Sequence, residues 1–197
     1  MLAESFENTT NINLSGYTLS KMDTYKVNFT KAELEILLFL LERTGERFSQ
    51  REIAQALNTS PTTITNALPQ LHEHITIQKT KTANYITAKR DKKTRQLKRA
   101  ANLKNIYITG LADELEEQLA GATIILFGSY SKGEDTKTSD IDIAIIGRKP
   151  KTINLEAYEK QLHRPIRIQY YQTIQEIHAE LRNNILNGII LTGSIHL

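Results

Sequence analysis

The 197-residue sequence contains no cysteine and no tryptophan, only four prolines, and no long apolar run. Without cysteine there is no disulfide frame and no thiolate metal cage, which suits a reducing interior. The longest uninterrupted apolar stretch runs from Ile36 to Leu41, against the roughly 20 residues a membrane-spanning helix needs. The opening residues, MLAESFENTT, lack the basic and apolar blocks of a secretory signal, so a cytoplasmic location is expected. With 40% hydrophobic and 24% charged residues the composition is that of a packed globular chain, long enough for one ordinary domain or two small ones.

The net charge of +3 hides an asymmetry. Residues 1–110 hold 16 Lys and Arg against 10 Asp and Glu, a balance of +6, while residues 111–197 hold 9 against 12, a balance of −3. A basic front half points to a polyanionic partner, and an acidic back half points to a site with its own carboxylates.

Residues 1–27, rich in Asn, Ser and Thr, read as a tail. Thr30 and Glu33 form a capping-box pattern ahead of Leu34, Leu37, Leu38 and Leu41 at helical spacing. Ser49 and Glu52 repeat that pattern, and Asn58-Thr59-Ser60-Pro61 separates this short helix from the next. In the third helix Ile64, Leu68 and Leu71 face inward, leaving Thr62, Thr63, Thr65, Asn66 and Gln70 outside; Pro69 deletes a backbone donor there, so the helix is expected to be short or kinked. Alternating segments Ile75 to Ile77 and Tyr85 to Ala88 then flank a polar tip.

Three helices followed by a hairpin, with SQREIAQALNTSPTTITNALPQL at the second and third helices, resembles the winged helix-turn-helix superfamily of DNA-binding domains over residues 28–88. The resemblance implies duplex DNA as partner. Thr62, Thr63, Thr65 and Asn66 would be the contacts of the third helix in the major groove, and Lys79 and Lys81 the backbone contacts of the wing. Residues 89–110 read as a basic linker helix. Eight basic side chains and one acid lie within residues 89–104, either extending the DNA footprint or forming a solvated connection.

The chemistry is expected in residues 111–197. A helix with Leu111, Leu115 and Leu119 ends at Gly121, and the strand Thr123 to Phe127 runs into GSYSKGEDTKTSDIDIAII. Gly128 lets the backbone approach a phosphate, Ser129 adds a hydroxyl, and the following helix start offers N–H groups. Asp140 and Asp142, two apart on a strand, share one face, while Ile141, Ile143 and Ile145 share the other. A carboxylate pair of this kind suits Mg²⁺.

The pattern G-S-x3-G-x5-S-D-x-D resembles the DNA polymerase beta-like nucleotidyltransferase superfamily, and within it the minimal nucleotidyltransferases, over about residues 104–190. The expected fold class is α+β, a winged helix joined to a small domain with a mixed sheet, in the order of an archaeal-type fusion. The resemblance implies a nucleoside triphosphate, expected to be ATP, held at Gly128, Ser129, Gly133 and Ser139. Mg²⁺ would sit at Asp140 and Asp142, the catalytic pair. It also implies transfer of a nucleoside monophosphate to an acceptor hydroxyl, with a protein of the HEPN class as candidate partner. A third carboxylate, which the superfamily carries on a later strand, is missing: Pro165 to Tyr171 offers Arg167 and Gln169 instead, and Glu156, Glu159 or Glu176 are the candidates to replace it. The rival expectation is a DNA-bound regulator or antitoxin-like protein that binds nucleotide without reacting. His72 and His74, expected to face apart on a helix, form no metal pair.

Overall fold

A computed structural model describes residues 29–80 and 83–195; the expected tail and Lys81 lie outside the described residues. The N-terminal module runs α1 (Lys31–Glu42), β1 (Phe48–Ser49), α2 (Gln50–Ala56), α3 (Pro61–Ala67), β2 (Ile75–Lys79) and β3 (Asn84–Ala88). Both capping boxes form: Thr30 with Glu33 starts α1 and Ser49 with Glu52 starts α2, each satisfying two orphan backbone donors reciprocally. Helix α3 has Pro61 in its first turn and ends two residues before Pro69, which therefore costs it no internal hydrogen bond. The three strands form an antiparallel sheet in the order β1-β3-β2.

One core joins these elements, built from Leu37, Leu40 and Leu41 of α1, Ile53 of α2, Ile64 of α3, Leu71, Ile75 and Ile86. The face expected for α1 is corrected by rotation: Ile36, Leu37, Phe39, Leu40 and Leu41 are buried, whereas Leu34 is exposed and Leu38 only half-buried. With six consecutive apolar residues the spacing leaves the face undetermined, and contact with α3 and β3 decides it. His72 and His74 lie in turns after α3 rather than on a helix; His72 is exposed and His74 is buried.

Helix α4 (Lys92–Ile108) leads through Gly110, in the left-handed region at φ 77°, into α5 (Leu111–Gln118). The C-terminal module continues with β4 (Thr123–Phe127), α6 (Gly128–Lys132), β5 (Ile141–Ile146), α7 (Glu156–Leu162), β6 (Ile166–Tyr171), α8 (Ala179–Leu186) and β7 (Ile189–Thr192). Its sheet has the order β6-β5-β4-β7, with β5 and β6 parallel and the other neighbours antiparallel, so the sheet is mixed and the fold α+β. Ile141, Ile143 and Ile145 pack with Leu111, Leu115 and Leu162 on one face. Ala144 packs with Phe127, Ile174, Ile177 and Ile185 on the other.

The basic helix is more than a solvated connection. Thr94, Lys98, Asn102 and Ile106, four apart, form a buried stripe along α4. Lys98 is 2% exposed, which removes it from any DNA footprint, and its ammonium pairs with Asp135 at 3.2 Å and donates to Thr44 of the N-terminal module. The exposed Arg95 pairs with Glu134 and Lys93 with Glu73, leaving Arg90, Lys92, Arg99 and Lys104 as exposed bases on or beside the helix.

Candidate functional site

Strand β4 ends at Phe127, whose register partner on β5 is Asp142. The next residue, Gly128, turns the chain into α6 at φ 74°. A side chain at Gly128 would be strained in that conformation, and its Cβ would fall well inside van der Waals contact with Asp142 Oδ2. The glycine therefore places the Gly128–Ser129 backbone directly against the carboxylate. The first N–H groups of α6 have no acceptor within the helix itself.

Asp140 immediately precedes β5 and Asp142 lies within it, so alternation turns both to the face bearing Ala144, opposite the isoleucines. Both carboxylates are half-buried. Burial pushes the Asp142 carboxyl above the usual aspartate range; the charge of Asp140 adds to this, and Arg167 opposes it. A half-buried carboxylate with a second acid beside it calls for a cation at the pair.

Here one cation is supplied by the protein. Arg167 on β6 is the register partner of Asp142, and its Nε forms an ion pair with Asp140 Oδ2 at 2.8 Å. Gln169, the other residue expected in the place of a third acid, pairs in register with Ala144 and accepts the Tyr171 hydroxyl at 2.6 Å. Among the described residues no three or more His, Cys, Asp or Glu cluster as a metal set. Of the candidate substitutes, Glu156 pairs with Lys160, Glu159 accepts the Ile166 N–H and Glu176 accepts the Gln172 N–H.

The remaining motif positions act on the loop rather than face the pair. Gly133, in the left-handed region at φ 71°, ends α6, and a Cβ there would collide with the α4 backbone at Arg95 and Arg99. Ser139 Oγ accepts the Thr136 N–H at 2.9 Å and so fastens the loop just before Asp140. Lys132 is exposed and bonds Asn184.

The loop's other anchors were not read from the sequence. Asp135, fully buried, pairs with Lys98 and, at 2.8 Å, with Arg164, while Asn102 donates to its other oxygen at 2.8 Å. Arg164 also donates to the carbonyls of Thr136, Ser139 and Glu42, and thereby ties the segment before Asp140 to the end of α1. The signal was available in the four-residue spacing of Thr94, Lys98 and Asn102, which the charge count conceals.

In the N-terminal module Thr62, Thr65 and Asn66 are exposed on α3, and Thr63 is half-buried. Thr63 and Ser60 share a hydroxyl contact at 2.9 Å, and the Thr65 hydroxyl donates to the Pro61 carbonyl, so two of the four side chains already serve the helix start. Lys79 is exposed at the end of β2. Arg47 lies over the Tyr85 ring at 5.1 Å.

Residues 108–192 match the nucleotidyltransferase domain family model, which places the Gly128–Ser129 turn and the Asp pair within the matched span. A protein of Methanocaldococcus jannaschii named "Putative protein adenylyltransferase" is 45% identical over 53 residues, covering 25% of this chain and 54% of the relative. The chain thus spans about half the length of that curated relative. No solved structure matches. The C-terminal part is therefore similar to nucleotidyltransferases, and nucleotidyl transfer in general is the chemistry that this similarity supports. No helix among the described residues is long and apolar enough to cross a membrane.

Proposed function

We propose that the chain is a cytoplasmic DNA-binding protein whose C-terminal domain binds a magnesium nucleotide, with ATP as the nucleotide, and transfers its nucleoside monophosphate slowly to a hydroxyl on a protein. The observation that carries this reading is the Asp140–Asp142 pair held against the Gly128–Ser129 turn at the end of β4. The donor set fits one Mg²⁺, a hard cation that favours carboxylate oxygens together with substrate phosphates. Asp140 and Asp142 would hold it, and the ion would supply charge neutralisation at the phosphates.

The chain's own groups do the rest. The N–H groups at the start of α6 and the Ser129 hydroxyl bind phosphate oxygens, and Ser139 keeps the loop closed behind Asp140. Arg167, planar and always charged, can exchange Asp140 for a phosphate oxygen when a nucleotide arrives. In the transfer the acceptor hydroxyl gives up its proton to water, its oxygen bonds to the α-phosphorus as the bond from that phosphorus to the bridging oxygen breaks, and pyrophosphate leaves. The name of the Methanocaldococcus jannaschii relative supports adenylyl as the group and protein as the acceptor; a HEPN-class protein is the acceptor we would try first.

The N-terminal module is proposed as a winged helix, supported by the order of α1, α2, α3 and the β2–β3 hairpin and by the exposed Thr62 and Asn66 on α3. Lys79 is its wing contact. Affinity for duplex DNA should then fall steeply as salt rises, because phosphate contacts release counterions.

A second reading is favoured by the Arg167–Asp140 ion pair and the absence of a third acid among the described residues: a DNA-bound regulator that senses nucleotide without reacting. The deciding experiment incubates the full chain with α-labelled ATP, Mg²⁺ and candidate protein acceptors. Label on protein supports transfer; magnesium-dependent binding with no label leaves the sensor; no magnesium-dependent binding contradicts both.

A further inference from the structure

A cleft of about 390 Å³ lies where the two modules meet, within the size range of small-molecule sites. Its walls come from the end of α1 (Glu42, Arg43), from α4 and from the C-terminal module (Tyr130, Lys137, His163, Arg164). The charges around it do not balance. Arg43 pairs with Glu42 at 3.2 Å and Lys137 with Glu46 at 3.5 Å, while the buried Lys98 and Arg164 share the single carboxylate of Asp135. Four cations are thus set against three carboxylates, and of these seven groups Arg43, Lys137, Arg164 and Glu42 line the cleft itself. The surplus falls on the buried triad, where Lys98, Arg164 and Asp135 are 2%, 7% and 0% exposed. Uncompensated charge is costliest in such surroundings. Burial holds the Lys98 ammonium below the usual lysine range even with Asp135 beside it.

The two rim pairs are the exchangeable part. Lys137 is two-thirds exposed, and ion pairs in contact with water contribute little, so Arg43 and Lys137 can leave their glutamates for a better acceptor. A phosphate group offers that acceptor, since its oxygens match a guanidinium fork.

We propose that this intermodule cleft binds a small phosphate-bearing anion, without a metal and separately from the Asp140–Asp142 site. The anion sits against Arg164 and draws in Arg43 and Lys137. Because Arg164 also holds the carbonyls of Thr136, Ser139 and Glu42, the bound anion fastens the end of α1 to the loop that presents Asp140.

The test is calorimetric titration of the full chain, in EDTA, with inorganic pyrophosphate, inorganic phosphate and AMP, and with adenosine as the uncharged control. Saturable binding of pyrophosphate or AMP but not adenosine is expected, and the stronger of the two identifies a free or a nucleoside-borne phosphate as the source. Binding should persist in an Asp140→Asn, Asp142→Asn double variant and weaken roughly tenfold or more in Arg43→Glu, Lys137→Glu, the expected cost of losing charge-assisted bonds. Ile108, at the cleft and 68% exposed, gives a variant that leaves the core alone: Ile108→Trp should reduce binding by obstruction even if the charge reversals fail to fold. No saturable binding in EDTA, equal binding of adenosine, loss of binding in the Asp variants, or unchanged binding in Ile108→Trp would each overturn the proposal. None of these results touches magnesium-dependent nucleotide binding at the Asp pair, which fails or succeeds on its own.

Discussion

Gly128 and Gly133 stand at equivalent-looking places in the motif, yet their surroundings predict opposite effects when each is replaced by alanine. Both have φ near +70°, so either alanine incurs about 1–2 kcal/mol of left-handed backbone strain. At Gly128 the new Cβ meets the end of the Asp142 side chain, which can rotate away; the added steric cost is small, but the carboxylate leaves its position. At Gly133 the Cβ meets the backbone of α4 at Arg95 and Arg99, inside a helix that cannot yield. Overpacking of that kind adds about 1–3 kcal/mol. Gly128→Ala should thus lose about 1–2 kcal/mol and Gly133→Ala about 2–5 kcal/mol. At about 2–4 °C per kcal/mol for a chain of this size, the melting temperatures should fall by about 2–8 °C and about 4–20 °C respectively. Magnesium-nucleotide affinity should move the other way, collapsing in Gly128→Ala and persisting in Gly133→Ala below its melting temperature. Thermal unfolding and calorimetric titration on the same samples provide both numbers. A Gly128→Ala protein that binds magnesium nucleotide like the parent would refute the placement of that turn against Asp142.

Asp135→Asn leaves two buried cations without their carboxylate and should destabilise the chain by about 3–5 kcal/mol, the usual result of removing one partner of a buried ion pair, measured by urea denaturation. A loss under 1 kcal/mol would show that the carbonyl acceptors around Lys98 and Arg164 suffice. His74 is buried against Thr94, and burial lowers its proton affinity below the usual histidine value of 6.5. The unfolded chain therefore binds the proton more readily, and stability present above pH 6.5 should decline as pH falls from there through the lowered folded value. His74→Gln should flatten that part of a stability-against-pH curve, and an unchanged slope would assign the effect elsewhere. Arg167→Asp places a third acid opposite Asp142; where transfer is limited by a missing base, the rate should rise by about 10² to 10⁴. Unaltered or faster transfer in the parent would show that another group already serves.

Local chemistry was the most legible layer of the sequence. The two capping boxes and the strand Thr123–Phe127 follow from side chains within a few residues of one another, whereas the third helix, expected to run through Pro69 to Leu71 in a short or kinked form, ends at Ala67. The shared face of Asp140 and Asp142 followed from strand alternation in the same way. The buried face of α1 did not, because six consecutive apolar residues satisfy any helical face and only the partner elements choose. Nor did the roles of Gly133 and Lys98, one fixed by a helix about 35 residues earlier in the chain and the other by a carboxylate 37 residues later. In both cases the residue type alone points to solvent or ligand, and the contacts with α4 and with Asp135 become visible only in the folded chain. Arg167 was legible as an anomaly on β6, but its pairing with Asp140 depended on the parallel register of β5 and β6.

The most direct measurement is titration of the full chain with a non-hydrolysable ATP analogue, with and without Mg²⁺, for the parent and for Asp140→Asn and Asp142→Asn. The account predicts binding that requires the ion and falls in each variant by roughly tenfold or more, at least the loss typical of disturbing groups around a metal. Each variant should still unfold cooperatively, and Asp142→Asn at no lower temperature than the parent, because it removes a half-buried charge repelled by its neighbour. Parent-like, magnesium-dependent binding in both variants would contradict the claim that these two carboxylates form the nucleotide's metal site.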